Sequence, residues 1–175
     1  MTHILCFGLG FSAGVLAERL ARRGWQVTAT SRSEAGAGRV RARGYRAFVF
    51  DGSAPLPQEA FDGITHVVSS APPDEDGDPV LRQHAADFAG RAAQFRWVGY
   101  LSTTGVYGDH EGGLVTEDTP LTPNTGRGVK RLVAETQWLA LWNSARLPVQ
   151  IFRLAGIYGP GRNQLQSLLE GTAKR

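Results

Sequence analysis

Hydrophobic and polar positions along this chain change their period again and again, and the changes mark its elements. "HILCF" (3–7) is a short continuous apolar run, the pattern of a strand buried on both faces. Residues 12–23 follow with Val15, Leu16 and Leu20 at helical spacing, and Ser12 stands where it could cap that helix. "WQVTAT" (25–30), "RAFVF" (46–50) and "ITHVVS" (64–69) predict the second, third and fourth strands. Helical spacing returns over 79–95 at Leu81, Ala85, Phe88, Ala92 and Phe95. "WVGYLS" (97–102) predicts a fifth strand, 108–127 a long polar loop, 128–142 a helix, and "VQIFRLA" (149–155) a sixth strand with a short helix after it.

Strands alternating with helices predict an α/β fold: a Rossmann-like doubly wound parallel sheet in the order 3-2-1-4-5-6, with helices on both faces. A single domain over 1–175 is expected at this length. Ligands of such sheets bind beyond the carboxyl ends of the strands. Those ends are Gly8–Ala13, Thr30–Ser33, Asp51, Ser70–Pro73, Ser102–Tyr107 and 155–161.

Composition narrows the chemistry. A net charge of +3 demands neither a nucleic acid nor a membrane as partner. No apolar run approaches 18 residues, and the N-terminus lacks a basic region and a small-residue cleavage site. Cys6 is the sole cysteine, so neither an internal disulfide nor a cysteine-only zinc site can form, and a cytoplasmic location is expected. His3, His66 and His84 lack metal-ligand spacing, and Asp74, Glu75, Asp76 and Asp78 do not fit a calcium loop, so no metal is expected. The arginines crowded into "RVRARGYR" (39–46) read as a solvated face, with a phosphate contact as the alternative.

"GLGFSA" is the strongest chemical signal. Gly8 permits a tight turn, Gly10 lets a pyrophosphate approach the backbone, and Ala13 is small enough for close packing of helix on strand. Phe11 and Ser12 lie in the helical first turn, whose amides face the phosphates. The spacing falls between a strand and a helix, as a dinucleotide site requires. No carboxylate ends the second strand to receive a ribose 2′-hydroxyl. Ser31, Arg32 and Ser33 stand there instead and suit a 2′-phosphate, so NADP is expected, with NAD as the alternative. Asp51 and Ser70, Ala71 and Pro72, at the ends of strands three and four, complete the expected cofactor surface.

"STTGVYG" (102–108) and "RLAGIYGPGR" (153–162), with the glycine turn, resemble the extended short-chain dehydrogenase/reductase family of NAD(P)-dependent epimerase/dehydratase type, and its atypical members most closely. The resemblance runs along essentially the whole chain. It implies a nicotinamide cofactor, a small-molecule substrate such as a nucleotide sugar, and catalysis by Ser or Thr, Tyr and Lys. It makes Thr103 the hydroxyl that bonds the reacting oxygen, with Thr104 next in line, and Tyr107 a pocket residue or a substitute catalyst.

Two departures qualify that implication. The family's Y-G-x-S-K-x-x-x-E, set on Glu135, places Arg127 at the tyrosine and Arg131 at the lysine; a register that keeps Lys130 places Gly126 at the tyrosine. Residues 108–157 contain no tyrosine. Arginine stays protonated at ordinary pH, so Arg127 is no general base, although it can bind an anionic substrate or a phosphate. Arg131 is kept as a cofactor contact. His110 reads as a loop histidine, and Glu135 as a helix-surface residue or ion-pair partner. The second departure is length, since the family continues beyond "SLLEGTAKR" to build a substrate domain, so a truncated chain is expected. The resulting expectation is an NADP-dependent oxidoreductase, epimerase or dehydratase in complete form. The alternative is a non-catalytic dinucleotide-binding module, a redox sensor or scaffold. Oligomeric state stays open, a homodimer included.

Overall fold

Side chains of the first strand alternate between two cores, and the rest of the chain is arranged to cover both. In the computed structural model, which describes residues 2–173, β1 (His3–Phe7) sends Ile4 and Cys6 to one face and Leu5 and Phe7 to the other. The remaining strands are β2 (Gln26–Ser31), β3 (Arg46–Val49), β4 (His66–Ser69), β5 (Trp97–Thr103) and β6 (Val149–Leu154). All pair in parallel, in the order β3-β2-β1-β4-β5-β6. The chain reverses its direction of travel between β1 and β4, so the crevice of the sheet opens there, as the alternation predicts.

Helices α1 (Phe11–Ala21) and α2 (Glu34–Arg41) close the face of Ile4 and Cys6 through Ala13, Ala17 and Val40. Helices α3 (Pro79–Gly90) and α4 (Gly126–Ala145) close the other with Val80, Leu81, Phe88, Ala134 and Trp138. A fifth helix, α5 (Gln164–Leu169), follows β6 and buries no residue. Burial pushes the Cys6 thiol up to about 12, which keeps it protonated and inert. No helix among the described residues is long and apolar enough to cross a membrane.

Trp138 joins the α3–α4 layer to the sheet. Its ring stacks on Tyr100 and meets Phe88 edge-on, and its Nε1 donates to Asp78 at 3.0 Å. Asp78 in turn caps α3 by accepting from the amides of Val80 and Leu81. Its own amide donates to Gln137, so the loop leaving β4 is tied to α4 at two points.

Three expectations need correction. Gly10, not Ser12, is the N-cap of α1, and Val15 is exposed while Ala13, Gly14 and Ala17 face the sheet: close packing selects small residues there rather than the aliphatic stripe. The helix predicted to 95 ends at Gly90, and a 3-10 turn at Ala92–Gln94 carries the chain to Phe95. Helix α2 has no counterpart in the sequence pattern. It holds two glycines, two alanines and one buried larger aliphatic, Val40, and it forms because the Ser33 hydroxyl caps it and Gly36 lets it lie against Ser31.

His3 and His66 open β1 and β4, at the edge of the sheet opposite the crevice. Burial pushes both imidazoles below the usual 6.5, and the charges of Arg46 and Arg96 add to the effect. The unfolded chain therefore binds more protons than the folded one just below pH 6.5. Stability is complete above that value and declines as pH falls through it toward the folded-state pKa values. The urea midpoint should drop between pH 7.5 and 5.5, and a His3→Gln/His66→Gln variant should lose most of that drop; the same pH slope in both proteins would refute the assignment.

Candidate functional site

All six strands end on the side of the crevice, and the turn after β1 organises them. Gly8 takes φ +82°, a conformation that favours glycine. Its amide donates to Thr30 Oγ1 of β2 at 2.9 Å, and its carbonyl accepts from Ser70 Oγ beyond β4 at 3.2 Å. A Cβ at Gly8 would stand 2.9 Å from that Ser70 oxygen. One residue thus draws the ends of β2, β1 and β4 together. Gly10 follows, and a Cβ on it would meet only open space.

Helix α1 starts at this turn without a side-chain cap. The other four α-helices are capped by Ser33, Asp78, Thr125 and Asn163. An uncapped helix start at a glycine turn leaves donors and a positive dipole end for an anion, which is the fit test for a pyrophosphate.

Two cavities adjoin at the turn and share Gly10 and Ser70. The larger, about 780 Å³, runs over the ends of β1 to β4. Gly8, Ser31, Arg32, Asp51, Ser70, Ala71 and Pro72 all line it, as the strand-end argument predicts. Ser33 does not, because its oxygen caps α2 by accepting from Gly36. Arg39 and Arg43 do line it, where the sequence favoured a solvated face with a phosphate contact as the alternative. Four residues apart on and just beyond α2, they come to the same rim as Arg32, and a helix assigned from the Ser33 cap would have revealed this. Among the described residues neither Arg32 nor Arg39 forms an ion pair, whereas Arg43 lies 3.9 Å from Glu18. The Asp51 carboxyl is held below the usual range by hydrogen bonds from the Ser53 hydroxyl and amide.

The smaller cavity, about 180 Å³, lies between the start of α1 and the end of β5. Phe11, Ser12 and Ala13 line it from α1, Ser102 and Thr103 from β5, Arg127 and Arg131 from α4, and Arg162 from the segment after β6. The first turn of α4 is pressed against the β5 exit, since a Cβ on Gly128 would stand 2.6 Å from the Gly105 carbonyl oxygen. That contact brings Arg127 and Arg131 to the cavity. Arg131 is buried and donates from Nη1 to the Leu101 carbonyl at 2.6 Å and to Tyr100 Oη at 3.2 Å. Lys130 points elsewhere and pairs with Glu75.

Tyr107, the sequence's alternative catalyst, lines neither cavity. It is buried, the Arg153 guanidinium lies over its ring, and Arg153 Nη1 donates to its hydroxyl at 2.9 Å. Glu135 is not on the helix surface: it is 1% exposed and accepts from Ser102 Oγ and from Nε and Nη2 of Arg153. This buried ion pair fixes Ser102, and with it the register at Thr103. Thr103 Oγ1 accepts from the Gly105 amide at 3.1 Å and keeps its own proton to donate into the cavity. His110 hydrogen-bonds the Tyr107 carbonyl and also lies outside both cavities.

The pattern of the NAD dependent epimerase/dehydratase family matches residues 7–174. The chain belongs to that family. Among curated proteins it is 31% identical to Protein YeeZ of Escherichia coli K12, a match covering 93% of this chain and 61% of YeeZ. Among solved structures it is similar to a functionally unknown conserved protein from Silicibacter pomeroyi, at 48% identity and a TM-score of 0.85, over 96% of this chain and 57% of that one. The fold is also that of dTDP-glucose 4,6-dehydratase from Bacillus anthracis, solved with NAD, at 18% identity and a TM-score of 0.74 over 98% of this chain and 62% of that one. The chain therefore spans about 60% of the length of these family members. Arg127 stands in the first turn of α4, one helical turn before Arg131, and both line the smaller cavity.

The Glu135–Arg153 pair yields a stability prediction. Glu135→Ala removes the carboxylate that, among the described residues, alone lies within ion-pair distance of the largely buried Arg153 guanidinium, a loss worth about 3–5 kcal/mol. Urea denaturation should show it, and Glu135→Leu/Arg153→Met should recover much of it. A loss below about 1 kcal/mol would mean that the pair does not hold the β5 exit.

Proposed function

We propose that this chain is the dinucleotide-binding part of a nicotinamide-dependent enzyme of the epimerase/dehydratase type, with NADP as its cofactor. The observation that carries the proposal is the larger cleft, which joins an uncapped helix start at Gly10 to three arginines around the end of β2. The α1 amides would hold the pyrophosphate, and Arg32 with Arg39 and Arg43 the adenosine 2′-phosphate, to which guanidinium gives paired, charge-assisted hydrogen bonds. Ser31 adds a hydroxyl, and the floor is Ala71 and Pro72. A nicotinamide cofactor supplies hydride donation or acceptance when bound. The chain's part is to orient a substrate oxygen through Thr103 and to shape the space around it.

Proton transfer takes a different course from the family relay. Among the described residues the ionisable side chains lining the smaller cavity are Arg127, Arg131 and Arg162, and none of these accepts a proton at ordinary pH. This supports a second reading, a module that binds the dinucleotide without turning it over. Nucleotide sugars, named as substrates of some relatives in the family, are the substrates to try first.

Calorimetric titration tests the cofactor assignment. NADPH should bind more tightly than NADH, and Arg32→Ala should remove a charged contact of about 1.5–3 kcal/mol, or about 10- to 150-fold in affinity for NADPH. Equal or tighter NADH binding would refute it. NADPH absorbance with a panel of nucleotide sugars and carbonyl compounds tests the chemistry. A missing general acid or base costs about 10²–10⁴-fold, so the 175-residue chain should bind the dinucleotide and turn these substrates over very slowly. Brisk turnover would show that another group delivers the proton.

A further inference from the structure

The smaller cavity has a charge imbalance that dinucleotide binding leaves unexplained. Three guanidinium groups line about 180 Å³, and no carboxylate lines it with them. Like charges confined together repel, and a buried charge is ordinarily paired. Among the described residues Arg127, Arg131 and Arg162 form no ion pair; Arg127 and Arg162 are exposed at the mouth of the cavity, and Arg131 is the buried one, 9% exposed. The acidic groups nearest in the fold are committed elsewhere. Glu135 holds Arg153 and Ser102, and Asp78 caps α3 and accepts from Trp138. Arg131 receives partial compensation from the Leu101 carbonyl and Tyr100, and Arg162 from the ring of Phe11, at 5.6 Å. Arg127 has no such partner among the described residues.

Place and chemistry both identify what would balance this charge. Arg127 and Arg131 stand one helical turn apart on α4, at the exit of β5 with Ser102 and Thr103. The α1 amides, which suit a pyrophosphate, enter the cavity from a different element. Planar guanidinium forks match the two or three oxygens of a carboxylate or phosphate group. We propose that this cavity selects a substrate bearing an oxyanion, a carboxylate or a phosphate, next to its reacting oxygen, with Arg127 and Arg131 as the grip, Arg162 closing the third side, and Thr103 donating to the reacting oxygen. The proposal deepens the dinucleotide reading and rests on it for the position of the reacting centre. It gives the arginines of this cavity a role in choosing the substrate rather than in proton transfer, which guanidinium cannot perform at ordinary pH.

Titration calorimetry on the chain tests this with malonate, inorganic phosphate and the neutral isostere malonamide. NADPH affinity is measured first and separately. Malonate or phosphate should bind the NADPH-saturated chain, and malonamide should bind at least about tenfold more weakly. Arg127→Ala should weaken anion binding about tenfold or more, the loss of one charge-assisted contact, with NADPH affinity unchanged within about threefold; Arg127→Lys should retain part of the anion affinity. Should NADPH fail to bind, the dinucleotide reading falls, and the same Arg127-dependent preference for malonate over malonamide, measured on the free chain, still decides the anion site. Equal binding of malonate and malonamide would overturn the proposal. So would anion binding that disappears when NADPH is added, which would assign the arginines to the cofactor's own phosphates, or identical titrations of the wild type and Arg127→Ala.

Discussion

Gly8 cannot be exchanged for a residue with a side chain without moving the site. Its positive φ turns the chain off β1 within two residues, and the Ser70 hydroxyl occupies the space where a Cβ would go. The same turn is bonded to Thr30 on one flank and Ser70 on the other, so the ends of β2 and β4 are held to it. Everything that the two cavities contain is referred to this point. Helix α1 starts there uncapped, α2 brings its arginines to one side through the short β2–α2 link, and α4 brings two more to the other side by seating Gly128 under the β5 exit.

Charge is distributed along the crevice with a consistent sign. Arg32, Arg39 and Arg43 line the larger cavity, and Arg127, Arg131 and Arg162 the smaller. The carboxylates that enter are occupied: Asp51 accepts from Ser53, and Asp74 forms a two-pronged pair with Arg82. A chain whose net charge is only +3 thus concentrates positive charge along the crevice, and balances it with acidic residues elsewhere.

The strand order was legible from the alternation of apolar runs with helical spacing, and the glycine turn from three residues between a strand and a helix. Both depend on local pattern and on chain rules that hold for every parallel sheet. What escaped was set by tertiary contact. "EAGAGRVR" carries no apolar stripe, so α2 and the two arginines it delivers went unseen. Glu135 reads as a helix-surface residue or an ion-pair partner, and only the fold names Arg153, 18 residues on, as that partner and buries the pair's carboxylate. Tyr107 sits in a motif that suggests a pocket, yet a stacked guanidinium holds it in the packed interior. For Glu135 and Tyr107 the deciding partner is distant in sequence, and for α2 it is the Ser33 cap; hydrophobic periodicity is blind to both.

The central claim is that a dinucleotide lies across this crevice, with its pyrophosphate at the start of α1 and its 2′-phosphate among the α2 arginines. Amide hydrogen exchange with and without NADPH reads that position directly. The account predicts slowed exchange at Phe11, Ser12 and Ala13 and along Arg32–Arg43, and little change at His3, His66 and the other residues at the opposite edge of the sheet. Unchanged exchange at the start of α1, or protection confined to the far edge, would contradict it.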